Sequence, residues 1–561
     1  RLLVLLPGES RAEGKWNVSP HGKTGAAPTA QVVGTTVTIT VAAADAYWNQ
    51  VSTSISVTLT PSEATAAVLL SPKSLNLTLG TTTFDVLFRK AVPTTSSASA
   101  TGYSGYTSPA LTINPGTGTK LQLLVQSEET EAPGTGSGKT TGAITKTAGL
   151  AFDVRVNAVD SWWNVQTASI PTVTLTTNAT YYAISAGGVA GLANGTTQFS
   201  VTLLQAATAS LTVTEPVLTQ SQSPVISVNP AAAVKLQTLL PGEFEAPGAG
   251  SGKTGAPTNR TAGVTFGVTV NVVDASWNKV LTANPTVQIA TYDDAYDTPP
   301  SAAPPAGGPI TQLMSLVTAA PPTVSVSAIA GGFTGSTSPV VTVDPNAATR
   351  AHLILPGETF VPGRYNQPPT TGKTGSPTTR TAGLMFGVTV YAVDDWYNRN
   401  TGNASTIQIQ TSDPYDTEPS TASFAAGMAT FPVTMVRQDT SNLTTITATS
   451  TVLVSTISPA FGVNPGPAVK LQILVPGEVV AEGRSPDGKT AAAPSPATAG
   501  TAFSVTVRAV DANWNKVNAN PTVRINTSDI YDAEPGNQTL VSGEFTFTNA
   551  ITFVTANTTQ T

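Results

Sequence analysis

The chain has 561 residues, of which only 11% are charged, with a formal net charge of −6 and no cysteine. That balance gives no basic field to gather nucleic acid or an anionic membrane surface, and it leaves neither disulfides nor thiolate metal sites. Forty-seven Gly and forty-three Pro among abundant Thr, Val, Ser and Ala favour strands and turns over helices, since Pro costs about 3 kcal/mol inside a helix.

The expected fold class is therefore all-β, and the length suggests roughly three to five domains. No apolar run reaches the ~18 residues that a membrane helix needs, and "RLLVLLPGES" lacks a signal-peptide cleavage pattern, so the chain reads as a mature or internal segment without a membrane span.

That opening stretch returns along the chain. "LLVLLPGE" (2–9) is followed by "LQLLVQSE" (121–128), "LQTLLPGE" (236–243), "HLILPGE" (352–358) and "LQILVPGE" (471–478). Each copy leads to a "GKT" whose lysines, Lys23, Lys139, Lys253, Lys373 and Lys489, lie 116, 114, 120 and 116 residues apart. The whole chain is one domain-sized unit repeated. Stretches such as "INPGTGTKLQ" (113–122) and "VNPGPAVKLQ" (463–472) place the boundaries at 1–115, 116–230, 231–345, 346–465 and 466–561. With so few residues between strands, neighbouring units are expected end to end with limited swing. At ~3.3 Å per strand residue, one unit spans about 35–40 Å and five approach roughly 200 Å.

Between the first two strands runs an excursion of about twenty residues rich in Gly and Pro. In the fifth unit it contains "GRSPDGKT" (483–490), a letter-perfect phosphate-loop pattern. Pro494 and Pro496 forbid the helix whose N-terminus would hold the phosphate, and no other unit keeps the spacing. No nucleotide partner is expected. Loops of this length are expected to be packed or used for contacts. Next, "AGTAFSVTVRAVDANWNKV" (499–517) alternates Phe503, Val505, Val507 and Ala509 against Ser504, Thr506 and Arg508, as a half-buried strand does. "PTVRINTSD" (521–529), "ATFPVTMV" (429–436) and "TTITATS" (444–450) supply later strands. About seven short strands per unit predict an immunoglobulin-like β-sandwich.

The run "AGTAFSVTVRAVDANWNKV" followed by "PTVRINTSDIYDAEP" resembles bacterial Ig-like repeats of the invasin/intimin type, in all five units. The resemblance implies an extracellular or cell-surface protein with an adhesive or scaffold role. The chain departs from that pattern by placing Trp48, Trp163, Trp277, Tyr397 and Trp514 before the Asn, where Gly is common, and by adding the "PGE…GKT" excursion. Those aromatics fit either core packing at a sandwich end or contact with the adjacent unit.

Three further sets of polar residues recur. Asp45, Asp160, Asp274, Asp394 and Asp511 stand four residues before Asn49, Asn164, Asn278, Asn398 and Asn515. They read as turns whose side chains satisfy nearby N–H groups, the alternative being part of a calcium site at a junction. Asp413, Asp416 and Glu418, with Asp529, Asp532 and Glu534, form a second acidic cluster confined to units three to five, read either as a solvated loop or as calcium ligands. Glu9, Glu128, Glu243, Glu358 and Glu478 face the recurrent lysines across the excursion, as loop-closing pairs or, alternatively, as acids assisting a Lys–Asn isopeptide bond. Sequons for glycosylation stand at Asn17, Asn76, Asn178, Asn194, Asn259, Asn403, Asn442, Asn526, Asn537 and Asn557, a number that this much Ser and Thr produces by chance.

With only His21 and His352 and no nucleophile motif, no catalytic site is expected. Apart from calcium, no cofactor is expected. Near-identical units of low charge predict a structural protein that self-associates into a filament, sheath or surface-layer-like scaffold, with the stalk of a host- or carbohydrate-binding adhesin as the alternative. The last unit stops at "FVTANTTQT" (553–561), without a final strand. Its open edge is expected to be completed by a longer polypeptide or by a neighbouring subunit.

Overall fold

The structure is a computed structural model that describes residues 1–63, 67–292, 294–303, 308–319, 325–557 and 559–561. It is all-β, and its one helical element among the described residues is a 3-10 turn at Ser185–Gly188. The second repeat shows the plan. Lys120–Val125 pairs antiparallel with Ala151–Val159 in the register Leu121↔Ala158, and Ala151–Val159 pairs with Thr196–Leu203, with Tyr182–Ile184 at the edge. The opposing sheet runs in the order Val189–Gly191, Thr172–Thr177, Leu211–Thr214, Ser221–Gln222. Ile144–Thr147 joins Ile226–Asn229 in parallel, and both isoleucines are buried.

Alternation puts Leu121, Leu123, Val154, Val156, Val173, Leu175, Phe199, Val201, Leu211 and Val213 between the two sheets as one apolar cluster. This is the Ig-like sandwich that the period-2 pattern calls for. Four further clusters have their buried residues within 2–113, 236–343, 351–463 and 505–551, and Trp162 and Trp396 of the following repeat pack against the first two of these. In the fifth repeat, no counterpart of Leu211–Thr214 or Ile226–Asn229 follows Glu544–Ile551 among the described residues. Leu471 and Ile473 are accordingly 50% and 47% exposed, whereas Leu121 and Leu123 at the same places in repeat two are 1% and 0% exposed.

The second strand departs from simple half-burial. Arg508, expected on the solvent face, is 4% exposed, and Asn157 and Asn271 at its position are buried as well. The excursion folds back over this outer face and covers it. Asn157 Nδ2 donates to Gln122 Oε1 and to Glu131 Oε1, both at 2.8 Å, while Gln122 Nε2 donates to Gly138 O at 2.7 Å. Asn271, Gln237 and Gly252 repeat the arrangement. Repeat four substitutes aromatics, with Phe360 stacked on Tyr391 at 4.5 Å and His352 edge-on to Tyr397 at 5.0 Å. Repeat one uses Leu3, Ala42 and Trp48. The long loop is thus a lid over a second small core, in which the amide nitrogens of Asn157, Asn271, Gln122 and Gln237 all find acceptors while Asn157 Oδ1 and Asn271 Oδ1 have no partner among the described residues.

Candidate functional site

The recurrent residues meet at two places: under the excursion lid, and at the junctions between repeats.

Under the lid lie the Glu–Lys pairs. Lys23 Nζ is 2.6 Å from Glu9 Oε2, and the two side chains are 0% and 3% exposed. Glu9 Oε2 also accepts the Leu6 N–H at 2.8 Å, so the acid closes its own turn while neutralising the lysine. Burial pulls the Lys23 ammonium below the usual lysine range despite Glu9. Lys253–Glu243 (2.7 Å), Lys373–Glu358 (2.8 Å) and Lys489–Glu478 (2.6 Å) are built likewise. Repeat two corrects one expected pair: Lys139 meets Glu129 at 2.8 Å, and Glu128 turns instead to Lys146 at 2.7 Å. There "QSE" replaces "PG", adding one residue to the turn, and the acid that caps Val125 N–H is the next one along.

The aromatics pack in the same place, against their own repeat. Trp48, Trp163, Trp277, Tyr397 and Trp514 all have positive φ, from 63° to 71°, a conformation that costs about 1–2 kcal/mol for a residue with a Cβ. The ring recovers this by lying against the glycine of "GKT". A Cβ on Gly138 would stand 2.1 Å from the Trp163 ring. Trp163 Nε1 donates to Gly136 O at 3.2 Å, and Lys120 Nζ sits 3.5 Å from the ring centroid. The motif that imitates a phosphate loop is therefore a seat for an indole and for a half-buried lysine held by Glu478.

The inter-repeat contact is made one residue earlier in sequence, by Trp162, Ser276, Trp396 and Asn513. Each faces a glycine of the preceding repeat, Gly34, Gly149, Gly263 or Gly383, at which a Cβ would come within 1.9–3.2 Å of it. Trp162 and Trp396 pack against the apolar clusters of repeats one and three. Sequence reasoning missed this position because the residue type varies, and the available signal was the glycine of "TAG" at Gly149, Gly263 and Gly383, with Gly34 in "VVG".

The Asp–Asn pairs complete the junction. Within the turn, Asp160 Oδ1 accepts the N–H groups of Trp162 and Asn164 at 2.8 and 2.9 Å, as expected for a capping Asp. The Asn side chain then crosses to the neighbour. Asn164 Nδ2 donates to Arg89 O at 2.9 Å, and its Oδ1 accepts the Ala91 N–H at 2.7 Å. Asn278 does the same with Leu204 O and Ala206 N–H, Asn398 with Val317 O and Ala319 N–H, and Asn515 with Val436 O and Gln438 N–H. The Oδ2 of each Asp, which accepts the Asn Nδ2 at 2.9–3.0 Å, also accepts a linker N–H, from Gly116, Ala231, Asn346 or Gly466, at 2.8–2.9 Å. One Asp–Asn pair thus ties three segments together: its own turn, the linker and a three-residue strap of the preceding repeat. Asn398 and Asn515 are 0% exposed. Burial pushes the Asp394 carboxyl above the usual range against the pull of its hydrogen bonds. Asp45 and Asn49 of repeat one are solvent-accessible and bond to each other at 3.0 Å.

The second acidic cluster braces the strap from the other side. Asp413 Oδ2 accepts the Val436 and Arg437 N–H groups, both at 2.7 Å. Asp294 and Asp529 do the same for Val317–Thr318 and Val554–Thr555. These backbone bonds, that of Thr555 foremost, hold the Asp529 carboxyl down to about 2. Asp416 and Asp532 accept the hydroxyls of Thr411 and Thr527, while Glu418 and Glu534 accept those residues' N–H groups. Among the described residues, no three acids or histidines gather as a cation would require. His352 is buried, and burial lowers its pKa to about 4. Of the ten sequon asparagines all but Asn403 are exposed; Asn403 accepts bonds from Ser405.

No protein-family model and no curated protein matches the sequence. Among solved structures the chain is similar to FdeC, an Escherichia coli adhesin that elicits protection against urinary tract infections, at 16% identity over 56% of this chain and 94% of that one, with a TM-score of 0.26. It is similar to the D0–D1 domain of intimin at 15% identity over 35% and 93% of the two chains, with a TM-score of 0.15. A β-glycosidase from Bacteroides vulgatus matches at 11% identity over 40% of this chain and 24% of its own, with a TM-score of 0.17.

Proposed function

We propose that this is an extracellular structural protein, a tension-transmitting row of clasped Ig-like sandwiches that serves as the stalk or scaffold of a bacterial cell surface. The observation that carries the reading is the four-fold recurrence of one buried Asn bonded in both directions to the strap of the preceding repeat. A chain that needed only flexible spacing between independent domains gains nothing from burying an amide at every junction. The polar groups at these sites are engaged with backbone, so they serve geometry and leave no group poised for catalysis in this reading. Small-angle scattering of the dilute chain tests it: a maximum dimension near roughly 200 Å is expected from five sandwiches in line. A compact particle, or a distribution as broad as that of freely jointed domains, would refute it.

A further inference from the structure

The excursion lid touches more than its own repeat. Between the glutamate and the lysine that close its base, the lid runs out to a tip glycine: Gly248 between Glu243 and Lys253, Gly363 between Glu358 and Lys373, Gly483 between Glu478 and Lys489. Each tip meets the middle residue of the strap whose two ends the Asn of the clasp holds. A Cβ on Gly248 would stand 3.2 Å from the Gln205 Cβ and 2.9 Å from the Tyr181 ring, one on Gly363 would stand 2.0 Å from Thr318 Oγ1, and one on Gly483 would stand 2.8 Å from Arg437 Cα. All three tips have positive φ, from 77° to 85°, so glycine serves both the turn and the close approach.

Neither partner is free to move aside. Thr318 gives its N–H and its hydroxyl to Asp294 at 3.1 and 2.7 Å, and Arg437 gives its N–H to Asp413 at 2.7 Å. On the lid side, Gly134 and Gly248 donate their N–H groups to Trp162 O and Ser276 O, both at 2.7 Å, the residues that fill the glycine seats of the preceding repeat. In repeat five Glu482, beside the tip, accepts from Arg508 beneath the lid and from Gln438 of the strap, so one carboxylate joins the small core to the neighbouring repeat.

We propose that the excursion is the outer bracket of the junction, with the strap of the preceding repeat as its partner. The tip glycine seats the strap, and the buried Glu–Lys pair at the base holds the tip there, so an ion pair inside one repeat limits how far that repeat rocks on the one before it. The inference rests on the clasped-row reading above and extends it. The clasping Asn and the residue that fills the glycine seat belong to one turn, as Asn164 and Trp162 do, and they move together. The lid tip comes from a different part of the repeat, and two separated contacts resist a rotation that one alone permits. A buried pair suits this task because it cannot open without stranding a charge, whereas an exposed pair contributes little.

The test reads the distance across the junction between repeats three and four. The chain has no cysteine, so spin labels can be placed singly on Thr311→Cys and Thr430→Cys, exposed residues at equivalent places in the two repeats. The labelled parent is expected to give one narrow distance distribution. Gly363→Ala, which drives a Cβ into Thr318, weakens the bracket by about tenfold and broadens the distribution. Lys373→Met combined with Glu358→Gln unties the base without leaving a buried charge, and broadens it likewise. Gly332→Ala is the control: its φ is +82° with open space beside it, so it carries the same backbone cost in repeat three and leaves the distribution narrow. Lid variants as narrow as the labelled parent overturn the bracket, as does equal broadening by Gly332→Ala. A distribution already broad in the labelled parent defeats the clasped row itself, which keeps the two failures apart.

Discussion

Replacing Asn398 by Ala isolates what a clasp contributes. The side chain is fully buried between repeats three and four, and it both donates to Val317 O and accepts from Ala319 N–H at 2.7 Å. Alanine leaves one buried carbonyl and one buried amide without partners, at about 1–3 kcal/mol for each orphan, so opening of the junction becomes easier by about 2–6 kcal/mol. At 1.4 kcal/mol per factor of ten, the Ala319 amide then exchanges at least about 30-fold and up to about 20,000-fold faster, read by hydrogen exchange with mass spectrometry. Val388 and Val390 in the core of repeat four are expected to keep their protection, because the sandwich itself loses no apolar contact. Asn49→Ala is the control: its side chain is exposed and bonds only to Asp45, so in dilute solution no amide should change. Unchanged protection at Ala319, or loss spread equally through repeat four, would refute the view of the Asn as a junction clasp.

Gly263→Ala drives a Cβ to 1.9 Å from the Trp396 ring and costs the same junction about 2–4 kcal/mol, while Gly500→Ala, with open space beside it, costs about 1 kcal/mol for its positive φ alone; thermal unfolding compares the two. Glu9→Ala strands the Lys23 ammonium in a site it cannot leave and destabilises repeat one by about 3–5 kcal/mol, seen as faster amide exchange in Thr36–Ala43. Burial holds the Asp416 carboxyl up at about 6 against an ordinary 3.8, so the folded state binds that proton more tightly than the unfolded chain does. Its charge therefore costs stability at neutral pH, and the cost fades as pH falls from about 6 to about 4. Asp416→Asn, which keeps an acceptor for Thr411, should stabilise the protein at pH 7 by about 1 kcal/mol, allowing for the solvent that reaches this half-buried group, and should do nothing below about pH 4.

The repeat, the strands and the false phosphate loop were all legible because each follows from local pattern: a period of two, a proline where a helix would be needed, a spacing that recurs. The Asp's turn-capping was legible for the same reason, since an Asx cap bonds residues two and four positions away. The Asn's bond to a strap 79 residues earlier in sequence, at Val436, was not, because no local signal distinguishes an amide facing solvent from one facing a neighbour. Recurrence itself misdirected attention at the aromatic: Trp163 is kept in kind by its own glycine seat, while the residue that touches the next repeat, Trp162, is free to vary because its partner glycine accepts any side chain that fits. Arg508 read as a solvent-facing residue because the lid that covers it belongs to another part of the chain.

That variation has a mechanical corollary. The glycine seats receive Trp162, then Ser276, then Trp396, then Asn513, so large aromatic plugs alternate with small polar ones along the chain. Under a pulling force the second and fourth couplings, with the least apolar surface to expose, give way before the first and third. Extension is then graded, with slack released at alternate junctions before any sandwich has to unravel.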